Sequence, residues 1–93
     1  MPNKNLKKLR KQLDALDNKM LNLINKRTNL VKKIIKVKKH KNQIVDKKRI
    51  NEVLKRIKTK SKIKNIDPKI TNRIWKNMIW SYIDYERRNF NKK

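Results

Sequence analysis

The sequence predicts an all-α chain of three helices, long, short and medium, built into an intertwined helical homodimer, and three observations carry that expectation. Apolar residues recur at spacings of three and four over the first part of the chain, two later segments open on helix-capping residues, and no run alternates as a half-buried strand would. With 93 residues, no glycine and no cysteine, the chain reads as one domain, residues 1–93, without a disulfide or a cysteine-bound metal.

The long helix comes first. Leu6, Leu9, Leu13, Leu16, Met20 and Leu23, followed by Leu30, Ile34 and Val37, form a heptad seam, and neither proline nor glycine interrupts the stretch from Lys4 to Lys41. A helix of about 37 residues would run roughly 55 Å, whereas a compact chain of this length has a radius of gyration of about 12 Å. Its own shorter neighbours cannot cover such a seam, so a second copy of the chain is expected to do so.

The second helix opens at Asp46 as N-cap and carries Ile50, Val53, Leu54 and Ile57 on one face. The stretch KTKSKIKNI (58–66) breaks this periodicity and reads as a connection, which keeps the second helix short. The third helix has Asp67 as N-cap, Pro68 at the first helical position, and an apolar face of Ile70, Ile74, Met78, Ile79, Tyr82 and Ile83. Trp80 falls off that stripe, and RRNFNKK (87–93) reads as a frayed, charged tail.

Charge is the dominant feature of the composition. Lys and Arg number 30 against 7 Asp and Glu, a formal net charge of +23. Such a field attracts polyanions, although the joint excess of Lys, Asn and Ile also fits an AT-rich coding bias at exposed positions. No apolar stretch approaches the ~20 residues of a membrane span, and the lysine-rich start lacks a signal-peptide core. A cytoplasmic protein without membrane contact is the expectation.

The informative cations are those inside the apolar pattern. Continuing the seam from Leu23 lands on Arg27, where a lone guanidinium would be costly to bury without an anion. Arg10 flanks the seam seventeen residues earlier, Lys38 follows eleven residues later, and Arg49 adjoins Ile50 on the second helix. Glu86 follows Ile79 by seven and Tyr82 by four, which places a carboxyl on the third helix's apolar face. Either these groups pair across a helical interface, Arg27 with Glu86 for example, or the excess of inward cations holds a bound dianion.

The segments LRKQLDALDNKMLNLINKRTNLVKKIIKVK (9–38), IVDKKRINEVL (44–54) and IWKNMIWSYIDYE (74–86) resemble the all-α chorismate mutases over nearly the whole chain. The motif is Arg, then Arg seventeen positions on, Lys eleven further, and an Asp-x-x-Arg opening the second helix. The resemblance implies an intertwined dimer of three-helix chains, a small dicarboxylate substrate and no cofactor or metal. Arg27, Lys38 and Arg49 would serve one site and Arg10 would enter from the other subunit, with Asp46 near the substrate hydroxyl and Glu86 beside the ether oxygen. Lys38 and Glu86 would be the catalytic pair, while Ile50, Val53, Tyr82 and Ile83 would join the arginines and Asp46 against the substrate. Glu86 must be protonated to donate, so the rate is expected to fall as pH rises.

Two positions depart from the mutase pattern: Ile50 stands where the mutases usually carry Glu against the C4 hydroxyl, and Tyr82 where a small hydroxyl residue is common. The ending IWSYIDYERRNF also resembles the related isochorismate-pyruvate lyases, which form salicylate, and these share an apolar residue at the position of Ile50. The mutase stands first and the lyase second. A basic helical nucleic-acid binder ranks below both, because it would account for the charge but not for cations inside an apolar seam. Trp75, Trp80, Tyr82 and Tyr85 also fall at a helical spacing more typical of core and flank than of a base-stacking platform. A structural coiled-coil adaptor sits poorly with the second helix. His40 reads as a solvated histidine near the end of the first helix.

Overall fold

A computed structural model describes residues 4–90, all of whose regular structure is helical: α1 (Lys4–Val37), a 3-10 turn (Lys41–Gln43), α2 (Lys47–Ile63) and α3 (Pro68–Asn89). The chain divides after Val31 into two compact units.

The first unit is the body of α1. Its leucine stripe lies open, with Leu6 39%, Leu13 58% and Leu23 62% exposed, and none of its described residues is buried. Within this unit Thr28 Oγ1 donates one turn back to the Ile24 carbonyl at 2.8 Å, and the first turn of the helix has no acidic residue to offset the macrodipole.

The second unit holds the end of α1 together with α2 and α3, which pack on each other. Ile35, Ile44 and Ile83 are buried, and so are Ser61, Thr71 and Glu86. Ile35 is the residue the seam omits: Ile34 and Val37 follow the leucine pattern and remain exposed, while Ile35 points into the unit. One helix thus presents two apolar faces.

Three boundaries differ from the sequence expectation. First, α1 stops at Val37 rather than continuing toward Lys41, although neither proline nor glycine forces it to. The carboxamide of Gln43 supplies the reason: its Oε1 accepts from the backbone N–H groups of Lys39 (2.8 Å) and His40 (2.9 Å), offering them an acceptor outside the helix. Lys38 therefore follows α1, its own N–H still bonded to the Ile34 carbonyl at 3.0 Å.

Second, KTKSKI is helical, so α2 has 17 residues and is not short. Its buried stripe steps from Ile57 to Ser61, whose Oγ donates to the Ile57 carbonyl (2.6 Å) and lies 2.7 Å from Thr71 Oγ1 on α3. A serine in a core position breaks an apolar count without breaking the helix. On α3 the inward stripe likewise begins at Thr71, while Ile70 and Ile74 are exposed on another face.

Third, α3 continues through Arg87 and Arg88, where Arg88 pairs with Asp84 one turn back (2.8 Å) and lies over the Tyr85 ring. The tail begins later than RRNFNKK suggests, and positions 91–93 lie outside the described residues.

The turn between α2 and α3 shows how a chain without glycine reverses direction. Asn65 takes φ 58°, Ile66 N–H reaches the Ser61 carbonyl (2.8 Å) and Asn65 N–H the Lys62 carbonyl (3.1 Å), the pair of bonds that defines a Schellman ending. Asp67 then caps α3 by accepting from Lys69 N–H at 2.9 Å, with Pro68 at the first helical position.

Candidate active site

The second unit brings together two of the residues singled out from sequence. Lys38, just past α1, donates from Nζ to Glu86 Oε1 on the last turns of α3 at 2.9 Å. Their side chains retain 21% and 9% exposure, so a cation and a carboxylate meet where water is largely excluded. The placement is set by the break after Val37, which frees Lys38 from the helix, and by the step from Ile79 through Tyr82 to Glu86 on the inward face of α3. Ile83, one turn before Arg87, is buried beside this stripe, and Tyr82 is half-buried.

Asp46 caps α2 as expected, its Oδ1 accepting from the Arg49 backbone N–H at 3.0 Å. Capping engages one of a carboxylate's several acceptor positions, so the same side chain retains capacity for a ligand hydroxyl. Lys38 and Asp46 line one open hollow of about 580 Å³ with Asn42, Gln43, Val45 and Lys47. Arg49 is exposed, and Ile50 and Val53 are half-buried on α2.

Arg10 and Arg27 belong to the first unit and are both exposed on α1. Seventeen residues of helix separate them, a rise of about 25 Å. The two guanidiniums of one chain therefore cannot close on one small molecule.

Sequence reasoning overlooked Asn42, Gln43, Val45 and Lys47, because residues between helices carry no periodic signal. His40 is exposed, and among the described residues no group of three His, Cys, Asp or Glu side chains is placed to hold a metal ion. Also among the described residues, no helix is long and apolar enough to cross a membrane.

The second unit thus sets a largely buried lysine–carboxylate pair, Lys38 and Glu86, at an open hollow that Lys38 shares with Asp46. The family model for chorismate mutase type II matches residues 9–87, and the chain belongs to that family. Membership supports chorismate mutase activity, an isomerisation, and gives the lyase alternative no support. No curated protein and no solved structure matches the chain.

Proposed function

We propose that two copies of this chain intertwine and convert chorismate to prephenate in sites to which both contribute. The observation that carries the reading is the largely buried Lys38–Glu86 pair, within a chain whose residues 9–87 match the family. Support for the shared site comes from the 25 Å or so of helix rise between Arg10 and Arg27. If both arginines grip one dicarboxylate, they come from different chains. The exposed stripe from Leu6 to Leu30 supplies an apolar surface for the second copy.

The [3,3] rearrangement needs neither nucleophile nor cofactor. One C–O bond breaks as one C–C bond forms, and the substrate must be held with its enolpyruvyl arm over the ring. Arg27 and the partner's Arg10 would hold the carboxylates, converting a floppy substrate into a near-attack conformer. Negative charge grows on the ether oxygen as the C–O bond lengthens, and Lys38 would stabilise it. In the structure Lys38 donates to Glu86. Substrate arrival would bring one of the lysine's three N–H donors to the ether oxygen, and Glu86 in its acid form would be a second donor.

The test is direct assay of the purified protein with chorismate, following prephenate, and with isochorismate, following salicylate. Prephenate formation is expected, and Lys38→Ala should reduce kcat by about a hundredfold or more, as for other donors to a developing oxyanion. Salicylate without prephenate would replace this reading with the lyase.

A further inference from the structure

We propose that Gln43 is a substrate-positioning residue which, with Asp46, reads the ring hydroxyl; the inference rests on the mutase reading above. The argument begins with orientation. Gln43 Oε1 faces two backbone N–H groups, those of Lys39 and His40, at 2.8 and 2.9 Å. Both can only donate, so the oxygen must face them, and the amide nitrogen is turned the other way. With its oxygen engaged at the end of α1, the side chain keeps two N–H donors, and Gln43 lines the hollow it shares with Lys38 and Asp46.

A hydroxyl is both donor and acceptor. Asp46 offers an acceptor and Gln43 a donor on the same hollow, the complement a ring hydroxyl needs. The position expected to hold that hydroxyl with a Glu is Ile50, which has no polar atom to offer. Gln43 is fixed in place before any ligand arrives, so little side-chain entropy is lost on engaging it. Lys47, on the same hollow, carries a charge better suited to a carboxylate than to a neutral hydroxyl.

Gln43→Glu separates the two duties of the side chain, because a carboxylate still accepts from Lys39 and His40 N–H but presents no donor. The reading is the ratio of kcat/KM for chorismate to kcat/KM for an analogue lacking the ring hydroxyl, measured on one preparation so that the folded fraction cancels. The added negative charge acts on both substrates alike and cancels as well. The ratio is expected to fall about threefold to tenfold in Gln43→Glu, the loss of one neutral hydrogen bond to a hydroxyl. Asn42→Asp, which puts the same charge on the same hollow, should leave the ratio at the wild-type value. An unchanged ratio in Gln43→Glu, whether both substrates slow equally or neither slows, would confine Gln43 to shaping the turn. An equal fall in Asn42→Asp would assign the effect to charge. Wild-type protein inactive on chorismate would overturn the mutase reading itself, an outcome distinct from active wild type with an unchanged ratio.

Discussion

Replacing Lys38 by alanine leaves the Glu86 carboxylate, 7% exposed, without its 2.9 Å partner. Breaking a fully buried pair costs several kcal/mol; here, with Lys38 still part-exposed, a loss of about 2 kcal/mol in unfolding free energy is expected from denaturant titration. Glu86→Gln should cost less, since an amide oxygen still accepts from Lys38. Activity separates the two residues further. A neutral amide can donate to the ether oxygen, so Glu86→Gln should keep activity that Glu86→Ala loses by about tenfold or more in kcat. Wild-type activity in Glu86→Ala would remove Glu86 from the reaction. Glu86 was legible in the sequence because steps of three and four from Ile79 and Tyr82 reach it. The identity of its partner was not: the pattern allows Arg27, whereas the cation that donates to it at 2.9 Å is Lys38. A pairing over 48 positions depends on how the helices pack, which periodicity does not encode.

At the level of elements, the number and order of helices followed from seam and caps, and the misread ends of α1 and α2 have one cause. Ser61, Thr71 and Gln43 each perform a structural task with a polar side chain, so a count of apolar residues passes over all three. Ser61 and Thr71 continue buried stripes, and Gln43 ends a helix. Asn65 is the fourth such residue, holding the left-handed position that glycine most often fills. Asn65→Gly is expected to raise unfolding free energy by a few tenths of a kcal/mol, and Asn65→Val to lower it by about 1–2 kcal/mol, because a β-branched side chain is strained at positive φ. Thermal melts of the two variants should shift in opposite directions. Equal shifts would mean that the turn relaxes to another conformation at no cost.

For the whole molecule the question is whether the exposed leucine stripe and the distant arginines have a common explanation in a second copy of the chain. Nine large apolar residues from Leu6 to Leu30 lie exposed and leave the first unit without a buried residue among those described, and if Arg10 and Arg27 grip one substrate, the roughly 25 Å of rise between them leaves a single chain's site without one of its clamps. An intertwined dimer answers both, and it makes a prediction that a monomer or a side-by-side dimer does not. Arg10→Ala and Arg27→Ala should each be nearly inactive alone. Unfolded together in equal amounts and refolded, half the dimers should be mixed, and in each of these one site takes both lost side chains while the other takes both intact ones. Activity should therefore return to about a quarter of wild type, the share set by random pairing of two chains. Separate refolding of each variant should restore none. If the mixture stays as inactive as its components while sedimentation shows dimers, no site joins Arg27 of one chain to Arg10 of the other, and the shared site is wrong. If the protein sediments as a monomer at assay concentration and still makes prephenate, the second copy is unnecessary, and the leucine stripe must serve something other than catalysis.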